Sequence, residues 1–65
     1  MNPGDLVMIN RKAIGVPSGT IALCLESREK RGQYEDGYEI WTVLLMNGEL
    51  RGVKRRYLDI DLEVL

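Results

Sequence analysis

The sequence predicts an all-β protein: a small, five-stranded, strongly bent antiparallel sheet forming a partly open barrel. Three observations lead there. Apolar residues alternate with a period of two in several short runs, and no window longer than ten residues carries a convincing helical period. Glycine, proline, Asn-Gly and Asp-Gly punctuate those runs at short intervals. The chain has 65 residues, too few for two full sheets, so short strands must curl to enclose one core.

The first strand is expected over 5–12, opened by Pro3-Gly4, with Leu6 and Met8 on one face and Val7 and Ile9 on the other. A loop bearing Gly15, Pro17 and Gly19 follows. The second strand, 20–28, sets Ile21, Leu23 and Leu25 against Ala22, Cys24 and Glu26. A polar stretch, 29–37, ends in the turn former Asp36-Gly37. The third strand, 38–46, is the most apolar, with Ile40, Leu44 and Met46 opposite Trp41, Val43 and Leu45. A strand apolar on both faces is covered on both, by the core and by something else. Asn47-Gly48 reads as a type I′ hairpin turn, whose two central residues both need positive φ, and this puts the fourth strand at 49–53. Lys54-Arg55-Arg56-Tyr57 then reads as a short helical turn or tight corner. The last strand, 58–65, points Asp59, Asp61 and Glu63 outward and Ile60, Leu62 and Val64 inward. Residues 1–65 form one domain without repeats or linkers.

Composition excludes much chemistry. One cysteine and no histidine rule out an internal disulfide, a Cys/His zinc site, a Ser-His-Asp triad and a Cys-His dyad. No cofactor or metal is expected, and the residues for acid/base or nucleophilic catalysis are not assembled anywhere, so the protein reads as non-enzymatic. By area scaling, folding buries only ~60% of the unfolded surface, a marginal core that association with other copies would support. The runs are too short for a membrane span, and the first residues lack signal-peptide character, so a cytoplasmic protein is expected.

Nine basic residues against ten acidic ones give a net charge of -1, yet the basic residues are unevenly placed. Arg28, Lys30 and Arg31 flank the loop after the second strand, and Arg51, Lys54, Arg55 and Arg56 flank the corner after the fourth. Seven of nine thus fall into two clusters. Tyr34, Tyr38 and Tyr57 lie beside them, and single-strand binders combine positive grooves with aromatic rings on which bases stack. The plainer reading is a solvated surface, with Glu49, Asp59, Asp61 and Glu63 pairing with Lys54 to Arg56 from the neighbouring strand or from a neighbouring subunit. Cys24 reads as a small buried hydrophobe, Trp41 as core or subunit interface, and Tyr57 as a core cap.

The segment Leu50-Arg51-Gly52-Val53-Lys54-Arg55-Arg56-Tyr57-Leu58 resembles the second signature of the Sm and Sm-like proteins, in which an aliphatic-Arg-Gly triplet precedes a tight turn and a final strand. The chain as a whole looks like the very short Sm-like proteins of marine phage (cyanophage) origin. It departs from them in having only four residues before the first strand, and in lacking the Asn of the first signature. The resemblance implies an Sm-like or SH3-like barrel in a homo-oligomeric ring, five copies being the first expectation, that binds or remodels single-stranded RNA. It makes Arg51 and Gly52 candidates for base recognition. Lys54, Arg55, Arg56, Lys30, Arg31 and Tyr34 join them as phosphate and stacking candidates, because the two loops would line a ring's opening. Two alternatives carry no RNA ring: a phage structural or assembly component on an SH3-like barrel, and a translation- or transcription-associated module suggested by Gly4-Asp5-Leu6-Val7 and Gly19-Thr20-Ile21.

Overall fold

The computed structural model describes residues 1–28 and 39–65. Among these, five strands form one antiparallel sheet: β1 (Leu6–Ile9), β2 (Ile21–Arg28), β3 (Ile40–Leu45), β4 (Lys54–Leu58) and β5 (Leu62–Val64). The strand order is β4-β3-β2-β1-β5, which leaves β4 and β5 as the two edges. The sheet curls but does not close. A single 3₁₀ turn, Asp59–Asp61, carries the chain across the open side from β4 to β5. Its ends are tied to the sheet: the Asp59 N–H donates to the Glu39 carbonyl at 2.9 Å, and the Asn10 N–H donates to the Asp61 carbonyl at 2.8 Å. A bulge in β2 between Cys24 and Glu26 adds the local twist and bend that curling requires.

Alternation decides which face is inside. Val7 and Ile9 of β1, Ala22 and Cys24 of β2, and Trp41, Val43 and Leu45 of β3 are buried, and Leu62 of β5 joins them. Each fully buried aliphatic side chain contributes about 1.5–3 kcal/mol. The concave side is plugged by loops. Val16 is completely buried, presented by a tight turn in which Ala13 and Val16 exchange backbone hydrogen bonds of 3.0 Å. Leu50 and Tyr57 pack against the same cluster. Thr20, buried among apolar groups, satisfies its hydroxyl by donating to the Pro17 carbonyl at 2.6 Å.

The expected strands need four corrections. The first is shorter than 5–12, because after Ile9 the backbone bonds to Asp61 and then folds into the Ala13–Val16 turn. The third occupies Ile40–Leu45; Tyr38 lies outside the described residues. The largest change concerns the fourth strand, where the expected order of strand and corner is reversed. Residues 46–53 form the connection and the basic run Lys54–Leu58 is the strand. The connection is not a type I′ turn: Gly48 has φ +86°, but Asn47 does not share a positive φ. Instead, the Asn47 side-chain oxygen accepts the Ile21 N–H at 3.1 Å, and the loop closes where the Gly52 N–H donates to the Leu45 carbonyl at 2.8 Å. A two-residue turn would leave no room for Leu50 to reach the core, and burial of that side chain favours the longer loop. Finally, the segment expected as one strand over 58–65 divides into the end of β4, the 3₁₀ turn and β5. Leu62 does face inward, but Ile60, in the turn, is 65% exposed, and Val64, on an edge, is 49% exposed.

Candidate nucleic-acid interface

The reversal of strand and corner determines how the basic residues are displayed. On a strand, successive side chains point to opposite faces, and residues paired across strands share a face. The β3–β4 register pairs Leu44 with Lys54, Val43 with Arg55, Thr42 with Arg56 and Trp41 with Tyr57. Lys54 and Arg56 therefore project from the outer, convex face, about 7 Å apart at two residues' rise. Arg55 projects on the core side, beyond the end of the buried cluster. All three are exposed.

Two depressions flank this strand. One, about 560 Å³, is lined by Thr42, Lys54, Arg55 and Arg56. The other, about 230 Å³, lies at the open side of the sheet between Arg55, Arg56, Tyr57, Arg11 and Asp61. Sequence reading missed Arg11, which lies more than forty positions away from this cluster. Its place is set by long-range pairing of β1 with β5, for which no local pattern exists. Arg11 Nη1 lies 3.2 Å from Asp61 Oδ2, the only ion pair among the described residues. Thus Asp61 is engaged by Arg11, and within the chain's described residues Lys54, Arg55 and Arg56 make no ion pair with Glu49, Asp59 or Glu63.

Arg51 is exposed in the loop before β4, with its N–H donating to the Gly48 carbonyl at 3.2 Å. Gly52 has φ +90°, a conformation that strains any residue with a Cβ, so its identity is explained by the turn into β4. Tyr57 is half-buried against the core opposite Trp41, which makes it a core cap. Trp41 is itself core, 2% exposed, with its indole N–H donating to Glu39 Oε1 at 3.3 Å. Of the first basic cluster, Arg28 pairs with Ile40 at the end of β2, and Lys30, Arg31 and Tyr34 lie outside the described residues. Cys24 is free and buried; burial, and secondarily the Asp5 charge, pushes its thiol above the ordinary value of 9.0, against a smaller opposing pull from the N-terminal amine. A thiol so held is protonated and unreactive at neutral pH.

No family model, curated protein or solved structure matches this chain. The arrangement is a row of exposed arginine and lysine side chains on the β4 edge of the described sheet.

Proposed function

We propose that the protein binds single-stranded RNA without catalysing a reaction, through Arg51 and the β4 residues Lys54, Arg55 and Arg56. The observation that carries this reading is the concentration of four exposed cations on six consecutive positions, none in an ion pair among the described residues, in a chain of net charge -1. Arginine suits the role because its planar guanidinium pairs with phosphate and stacks on bases. The resemblance to Sm-like proteins of phage origin adds the expectation of a ring, with β4 of one copy beside β5 of the next. The two free edges are compatible with that pairing, because ladder bonds engage backbone groups and leave the β4 side chains projecting from both faces. Five copies remain the expected number.

Gel shifts on homopolymeric RNAs at two salt concentrations test the reading. Each phosphate neutralised on a single strand contributes about 0.7 to the slope of log affinity against log salt. Replacing Arg55 and Arg56 by Ala is therefore expected to lower the slope by roughly 1.4 and to weaken binding, while Arg28→Ala has less effect. Arg51→Ala is expected to change base preference as well as affinity. Absence of binding at low salt by the folded protein would refute the RNA reading. A second reading, a phage structural component, is favoured by the apolar outer face of the sheet, and that outcome would leave it in front.

A further inference from the structure

The smaller of the two depressions, about 230 Å³, lies at the open side of the sheet where Arg11, Arg55 and Arg56 come together. Arg55 and Tyr57 reach it from the same face of β4, about 7 Å apart at two residues' rise. Arg56 borders it from the position between them, and Arg11 comes across from the segment after β1. Asp61 holds Arg11 in place through Nη1, at 3.2 Å, and leaves the other guanidinium N–H groups to point elsewhere. That pair is neutral as a unit. The depression therefore keeps two cations, Arg55 and Arg56, with no ion-pair partner among the described residues. Ala13, Leu58 and Tyr57 complete its lining.

We propose that this depression receives the terminal phosphate monoester of a single-stranded RNA, with Arg11 and Arg55 as its principal donors. The inference rests on the RNA reading and names the part of the strand that meets the open side. Charge favours an end over the middle of a strand. A terminal monoester carries about −1.5 to −2 at neutral pH, whereas a linking phosphodiester carries about −1. Two uncompensated guanidinium groups, with Arg11 as a third source of donors, match the larger charge. Arginine's planar fork also sets two parallel N–H groups against phosphate oxygens. Shape points the same way. Beyond Leu58 the turn Asp59–Asp61 crosses the open side, fixed by the Asp59 N–H on the Glu39 carbonyl and the Asn10 N–H on the Asp61 carbonyl. A strand running along β4 meets that turn as a wall, and the Asp59 carboxylate repels any phosphate continuing past it. The volume equals the share of about eight water molecules, room for one phosphate and its ribose but not for a run of nucleotides.

Fluorescence anisotropy with one short oligoribonucleotide prepared with a 5′-phosphate, with a 3′-phosphate, or with hydroxyls at both ends tests the proposal. A phosphate at one of the ends is expected to tighten binding roughly tenfold over the hydroxyl-ended form, the order that a charge-assisted hydrogen bond supplies. A hydroxyl-ended oligonucleotide two residues longer carries the same added charge internally, and it is expected to gain less than twofold. Arg11→Gln breaks only an exposed ion pair, so the fold, followed by circular dichroism, is expected to persist. In that variant the preference for a phosphorylated end is expected to vanish while hydroxyl-ended RNA binds within about twofold of the parent. Should Arg11→Gln fail to fold, the comparison of ends and lengths on the parent chain decides. Equal binding of all three ends, an equal gain from the longer strand, or a preference retained by folded Arg11→Gln overturns the proposal and leaves the RNA reading standing. Binding of none of these oligonucleotides by the folded protein at low salt overturns both.

Discussion

A cysteine and a glycine illustrate how much a single side chain can decide in a core this small. Cys24 is 1% exposed between the apolar groups of the sheet, and its thiol titrates above 9.0 because burial disfavours the thiolate. Cys24→Ala is expected to cost about 1 kcal/mol or less, at the low end of core truncations, and to leave assembly and RNA affinity unchanged. The linkage has a definite sign. In the unfolded chain the thiol ionises from about 9 upward while in the folded chain it stays protonated, so its contribution is complete below that pH and is lost as pH rises through the folded value. Urea denaturation of both proteins is expected to show a constant difference at pH 7–8 that moves against the parent chain above pH 9. Gly15 is constrained differently. It has φ +79°, and a Cβ there would lie 3.1 Å from Leu50 Cδ1. Gly15→Ala is therefore expected to destabilise by more than Gly52→Ala, whose Cβ would meet nothing and whose cost is backbone strain alone, roughly 1 kcal/mol.

Among the elements, the loop over 46–53 and the strand after it depend on one another. Leu50 packs on the core and on Gly15, and the loop delivers the chain so that Tyr57 lands opposite Trp41. That register puts the charged side chains Lys54 and Arg56 outside, and Leu58 with them. Charges on an edge strand also hinder unwanted pairing with other chains. Leu50→Ala is expected to cost about 2 kcal/mol, the lower part of the range for leucine truncation because Leu50 is only partly buried. Arg55→Ala with Arg56→Ala is expected to lie within about 0.5 kcal/mol of the parent, since both side chains are exposed. Thermal melts separate the two cases. The same melts on Leu62→Asp are expected to find no folded state, because a carboxylate would replace a buried apolar contact opposite Ile9. A folded Leu62→Asp protein would show that the inner face is misassigned.

At the scale of the molecule, a core of nine buried apolar residues among the described ones serves a sheet whose edges are β4 and β5. If copies pair β4 to β5 in a ring, sedimentation at micromolar concentration is expected to give a closed oligomer. A monomer under those conditions would exclude the ring. The side chains proposed to bind RNA need no such closure to be displayed, so affinity and assembly can be measured independently on the same variants.

The all-β class, the number of strands and the inner faces of β1, β2 and β3 are readable from the sequence alone. Period-two alternation is a local property, and Val7/Ile9, Ala22/Cys24 and Trp41/Val43/Leu45 are buried together as their alternation implies. Clustering of Arg51, Lys54, Arg55 and Arg56 is equally local, because adjacency in the chain suffices. Tertiary structure decided which end of the 49–58 segment became strand. Asn47-Gly48 is a strong local turn signal, but burial of Leu50 against the turn at Gly15 and of Tyr57 opposite Trp41 outweighed it. Tertiary pairing also brought Arg11 to Asp61, and so left the β4 cations without that partner. It set β4 and β5 as the two edges of the sheet, because the order of strands in a sheet is fixed by long-range burial that no local pattern encodes.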